Sequence, residues 1–178
     1  MDELWLEDMI GKQGVGAAIF IPFVVARLQG AGRATEAVLT VDLRGIPQAA
    51  DSRRVLRLRW QPESAPAQAP GVQDKVVTEL AACGIACAVA PFYTGLRVRS
   101  VADEGDRFDY WLGDDKETFG LEVSGTLSSG RADLEARHRA KVRQLRENPY
   151  GVDGFVVIVG LEMREMILSR HRFEEATP

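Results

Sequence analysis

Hydrophobic and polar residues alternate most cleanly in two N-terminal stretches. From Glu36 to Leu43, Ala37, Leu39, Val41 and Leu43 fall on one side, with Glu36, Val38, Thr40 and Asp42 on the other. From Arg53 to Trp60, Leu56, Leu58 and Trp60 oppose Val55, Arg57 and Arg59. A period of two marks half-buried strands, and their adjacency makes them antiparallel neighbours. Upstream, Ala17 to Leu28 is nearly all apolar. Periodicity alone does not separate helix from buried strand there. Ile19, Phe20, Ile21, Phe23, Val24 and Val25 favour strand by composition, and Pro22 places such a strand at an edge or a bend. Leu4 to Ile10 forms a short amphipathic piece that Gly11, Gly14 and Gly16 interrupt.

Pro62, Pro66 and Pro70 mark an extended connector. It divides an N-terminal extension, residues 1–62, expected to pack on the core, from an α/β unit at 71–178. The spacing predicts a helix from Val72 to Cys83, stopped by Gly84, with Val72, Val76, Leu80 and Cys83 as its packing stripe. Glu79 falls inside that stripe, where a carboxylate needs a metal, a base or a hydrogen-bond donor, unless it reaches past the margin to water. Ile85–Ala90 and Leu96–Val101 read as strands. A later helix begins near Ser129–Arg131 and ends by Asn148, before Pro149. Its stripe is Leu134, Val142 and Leu145, and His138 and Lys141 lie within it. His138 reads as a packing histidine. A lysine on the inner side needs an anion. Phe155–Val159 is continuously apolar, as in a central strand, and Met166–Phe173 reads as the last strand, followed by a loose tail.

The stretch RFDYWLGDDKETFGLEVSG, Arg107 to Gly125, reads as two strands joined by the loop-forming turn Gly113–Lys116. Asp109 lies on the first strand and Glu122 on the second. Paired as a hairpin, the two strands can present both carboxylates on one face, where hard oxygen ligands hold a divalent cation. A half-solvated hairpin with acids on its wet side satisfies the same pattern.

Composition narrows the function classes. A net charge of −4 argues against a generally basic nucleic-acid coat, while leaving room for a local basic patch such as Arg137, Arg139 and Arg143 on the last helix. Cys83 and Cys87, without nearby histidines, make a poor metal site and read as reduced, buried thiols of a cytoplasmic protein. Val15–Ala26, broken by Pro22, is too short for a membrane span, and no export signal is read. The lone GKQG at 11–14 lacks the spacing of a phosphate loop.

From Gly71 the expected order is helix, strand, strand with Asp109, strand with Glu122, helix, strand. This order and its acids resemble the αβββαβ core of the PD-(D/E)XK nuclease superfamily, the restriction-endonuclease-like fold. The resemblance covers about Gly71 to Gly160 and implies a mixed central sheet flanked by helices. It implies Asp109 as the acid near the second strand, Glu122–Val123–Ser124 as the (D/E)-x-K segment, and Glu79 as the extra glutamate on the first helix. Ser124 departs from the motif, since a serine cannot act as a cation. Lys141 is the candidate replacement and Lys75 the fallback. The implied activity is metal-dependent phosphodiester hydrolysis of nucleic acid, DNA more than RNA. Asp109, Glu122 and the Val123 carbonyl would hold Mg²⁺ or Mn²⁺, with Glu79 near by or on a second ion. Arg137, Arg139 and Arg143 would grip the nucleic-acid backbone, and a homodimer or partner subunit would supply further attraction. Two alternatives stand beside this reading. One is a non-catalytic protein of this fold that binds nucleic acid or a protein partner. The other is a structural oligomer subunit whose interface is fed by Val15–Val25 and the N-terminal strands.

Overall fold

The two alternating N-terminal stretches pair as expected. In the computed structural model, which describes residues 1–30, 33–47, 49–65 and 71–173, β2 (Glu36–Arg44) and β3 (Ser52–Arg59) run antiparallel, with Leu39 opposite Leu56 and Ala37 opposite Leu58. Ala37, Leu39, Val41, Leu43, Leu56 and Leu58 are buried, so the predicted phase is the observed one. The piece from Leu4 to Ile10 divides at Trp5. Asp2–Trp5 is β1, added parallel to β3, and Leu6–Ile10 is the short helix α1.

The N-terminal stretch does more than pack on the core. β2 pairs in parallel with β8 (Glu165–His171). With β4 (Arg97–Val101), β5 (Tyr110–Gly113), β6 (Thr118–Thr126) and β7 (Gly154–Gly160), one eight-stranded mixed sheet results, in the order β1-β3-β2-β8-β7-β6-β5-β4. The connector starts with a 3₁₀ turn at Pro62–Ser64. Its Pro66 and Pro70 lie outside the described residues, as does the tail from 174.

Helices cover the sheet. On one face lie α1, α2 (Ile21–Leu28) and α3 (Asp74–Thr94), around the larger core. The strand-favouring composition of Ala17–Leu28 is overridden: it forms a 3₁₀ turn and then α2, with Pro22 in the first helical turn, where its missing N–H is harmless. Val24, Val25 and Leu28 are fully buried.

The helix expected to stop at Gly84 continues to Thr94 and takes in Ile85–Ala90, which therefore is not a strand. Gly84 has a packing role. A Cβ built there would lie 2.6 Å from Val24 Cγ2 and 2.8 Å from Phe20 Cβ, so glycine lets α2 approach α3 closely. The cap is Gly95, at φ 72°, whose N–H bonds the Pro91 carbonyl. The stripe also differs from expectation. Val72 precedes the helix and Val76 is exposed, while Val77, Ala81, Ile85 and Ala88 are buried. A helix held between sheet and α2 is apolar on several sides, so no single stripe marks its inner face. By length and composition α3 is apolar enough to cross a membrane, but 67% of that apolar window is buried within this fold.

On the other face, α4 (Arg131–Arg146) packs Leu134 and Leu145 against Val156, Ile158 and Ile167, with Phe108 beside them. β7 is buried along its whole length, as its continuous apolar run predicts. From Asp74 the elements run helix, three strands, helix, strand. β4, β5 and β6 are antiparallel neighbours, and β7 returns parallel to β6 through α4. Ion pairs fasten the start of α4 to the N-terminal half. Arg44 meets Asp42 and Glu135, each at 2.6 Å, and Arg131 bonds Asp42, Glu135 and Glu165. The Arg44 guanidinium, hydrogen-bonded to Glu135, holds that carboxyl down at about 2.

Candidate active site between the two helix layers

Strand alternation decides what β6 presents. Leu121 and Val123 enter the α3-side core, so Glu122 and Ser124 point to the α4 side. Tyr110 pairs with Leu121, and the Asp109 N–H bonds the Leu121 carbonyl at 3.0 Å. One further step of this register sets Asp109 opposite Glu122. The regular strand begins only at Tyr110. Just before it, the Asp109 carboxylate accepts the Val123 N–H at 2.8 Å, so its side chain serves the β6 backbone that β5 does not reach. The two acids are thus neighbours, as the hairpin pattern predicts, with Asp109 at the mouth of the strand.

Glu122 is 1% exposed. Its Oε1 accepts the Lys141 ammonium of α4, and its Oε2 is buried without a hydrogen-bond partner among the described residues. Burial, reinforced by the Asp109 charge, pushes the Glu122 carboxyl up to about 7, against the pull of Lys141. Burial likewise raises Asp109, with the Val123 N–H and Lys141 opposing it. The anion that a lysine on the inner stripe needs is therefore Glu122, the β6 residue two places before Ser124.

Asp109, Val123, Ser124, Gly125 and Lys141 line a cleft of about 350 Å³ whose other wall is Glu79, Leu80 and Cys83 of α3. A second cleft of about 340 Å³ continues from it, sharing Glu79, Ser124 and Gly125 and adding Lys75 and Arg137. Gly125 is required there: a Cβ would lie 2.7 Å from the Thr78 carbonyl oxygen. Burial pushes the Cys83 thiol up to about 11, which leaves it a poor nucleophile and ligand. Both cysteines are free.

Other expected residues fall differently. Glu79 borders the cleft, but as an exposed side chain paired at 3.9 Å with Lys75, because the true buried stripe of α3 is rotated from the expected one. Arg137 lines the cleft and bonds Asp133 at 3.2 Å. Arg139 and Arg143 are exposed, and at about 100° per residue they lie on the side of α4 opposite Lys141, away from the cleft. His138 is buried with its Nε2 2.7 Å from Ser169 Oγ, which also meets His171 at 2.8 Å, so it is a packing histidine.

Sequence reading did not single out Gln144, which accepts from Lys141 at 3.1 Å. Its i, i+3 spacing from Lys141 was the available signal.

Among the described residues, no three His, Cys, Asp or Glu side chains converge as a ready ligand set, so Glu79 does not complete a triad with Asp109 and Glu122. The pair itself fits a cation: two neighbouring carboxyls, both raised, one with an unsatisfied buried oxygen. No family model, curated protein or solved structure matches this chain.

Proposed function

We propose that this chain is a metal-dependent phosphodiesterase of nucleic acid, DNA in preference to RNA, related to the PD-(D/E)XK nucleases. The observation that carries the reading is the buried, unpartnered Glu122 Oε2 beside Asp109, with Lys141 on the other oxygen. An acid kept buried and unsatisfied lowers stability, and such groups concentrate at sites of chemistry. Mg²⁺ or Mn²⁺ held by Asp109 and Glu122 would acidify a bound water and offset phosphate charge. Lys141 supplies the fixed cation that Ser124 cannot, placed to favour charge that grows in the transition state. Arg137 and Lys75, along the continuing cleft, meet the phosphate backbone. A reducing, cytoplasmic setting accords with the two free thiols.

A non-catalytic nucleic-acid or protein binder is the second reading, favoured by Ser124 at the motif position. The structural-subunit reading keeps only part of its support: Val24 and Val25 are spent on the core against α3, while Ile19, Val38 and Val55 stay exposed.

The test is cleavage of single-stranded, duplex and branched DNA and of RNA with Mg²⁺ or Mn²⁺. Slow cleavage of DNA is expected, abolished by Asp109→Ala. Lys141→Ala should lower turnover more than binding. Arg137→Ala should weaken binding several-fold and flatten its salt dependence, while Arg139→Ala, on the outer face, should change little. Metal binding without cleavage of any substrate would favour the non-catalytic reading. Cleavage that survives Asp109→Ala would remove the site.

A further inference from the structure

Gln144 lies between the two halves of this site. Its Oε1 accepts from the Lys141 ammonium at 3.1 Å, and its Nε2 donates to the Arg107 carbonyl at 3.3 Å. The amide orientation follows from the partners, since an ammonium only donates and a carbonyl only accepts. Arg107 is one of two described non-glycine residues with positive φ, at 69°, and stands two positions before Asp109. The contacts close a ring: Glu122 to Lys141, Lys141 to Gln144, Gln144 to the Arg107 carbonyl, along the backbone to Asp109, and from the Asp109 carboxylate to the Val123 N–H beside Glu122. Gln144 also shares with Asp109 the wall of a cavity on the loop side, lined by residues 101–105 and 107–110. A left-handed arginine persists only where its surroundings hold it. One hydrogen bond from α4 holds its carbonyl, and the same side chain holds the lysine.

We infer that Gln144 is a positioning residue: it couples the Lys141 ammonium to the Asp109-bearing loop, so that cation and carboxylates keep one geometry. The inference rests on the proposed site, but its contacts exist whether or not that site is catalytic.

The experiment therefore uses a readout independent of activity. Gln144→Met keeps the shape and removes both bonds. Gln144→Glu keeps an acceptor for Lys141 and loses the donor to Arg107. Amide hydrogen exchange at Val123 should quicken at least tenfold in both variants, with Ile167 unchanged. The Lys141 ammonium, followed by ¹⁵N NMR, should gain motion in Gln144→Met, where one of its two acceptors is gone, and stay held in Gln144→Glu. If either the Val123 exchange or the Lys141 motion is unchanged in Gln144→Met, the positioning role is wrong. Mn²⁺ calorimetry separates the two ideas. Wild type that binds no Mn²⁺ defeats the metal reading, while altered Val123 exchange and Lys141 motion in Gln144→Met still establish Gln144 as the coupling residue.

Discussion

Glu122→Gln is expected to abolish cleavage and, at pH 8, to raise the melting temperature by about 2–12 °C. The two effects share one origin. The folded protein raises this carboxyl from its ordinary 4.5 to about 7. Between those values the folded state holds a proton that the unfolded state has released. Stability therefore falls as pH rises through that window and is flat above it. At roughly 1.4 kcal/mol per tenfold change, the cost above pH 7 is on the order of 1–3 kcal/mol after allowing for coupling to Lys141. A chain of this size melts about 2–4 °C higher for each kcal/mol gained. Breaking a buried ion pair is normally destabilising, because it strands a charge. Here Lys141 retains 29% exposure and a bond to Gln144, so its ammonium has other partners and the relief at Glu122 dominates. The gain should shrink on acidification and vanish below about pH 4.5, where the glutamate itself is neutral in both states. Melting curves at pH 4.5 and 8 check this. A lower melting temperature at pH 8 would show that Glu122 is a structural anchor.

Gly84→Val should cost about 3 kcal/mol, a fall of roughly 6–12 °C in melting temperature. Two effects compete. Replacing a mid-helix glycine gains at most about 1 kcal/mol of helix propensity. Against this, even the first added carbon meets Val24 Cγ2 at 2.6 Å and Phe20 Cβ at 2.8 Å. Phe20 Cβ is fixed to the backbone, so relief requires α2 to move off α3, and the overpacking wins. The pattern reading, in which Gly84 merely ends a helix, predicts a far milder loss.

That contrast shows where the sequence was legible. β2 and β3 were readable because each buries a single face, so their period of two survives, and so were the elements from β6 through β7. α4 was readable for the same reason: a polar helix with one apolar stripe shows which side is inward, and Lys141 could be placed on it. α2 and α3 were not, because both are apolar around much of their circumference and Ile85–Ala90 has a strand-like composition. The error carried over to Glu79, whose expected inward position depended on the wrong stripe. The acids were found because Asp109 and Glu122 are linked through a short turn, so local register sets their relation. Gln144 and the network of Asp42, Arg44, Arg131, Glu135 and Glu165 join distant segments through the sheet order, which no local pattern specifies. Arg139 and Arg143 were grouped with Arg137 by charge alone, although helical angle separates them.

The most direct test of a cation site at the carboxylate pair is Mn²⁺ calorimetry at pH 8, above the titration of Glu122, on wild type and on the Asp109→Asn, Glu122→Gln double variant. Wild type should bind Mn²⁺ and release protons on binding when the experiment is repeated at pH 6.5, and the double variant should not bind. Equal binding by both proteins, or none by wild type, would contradict the site.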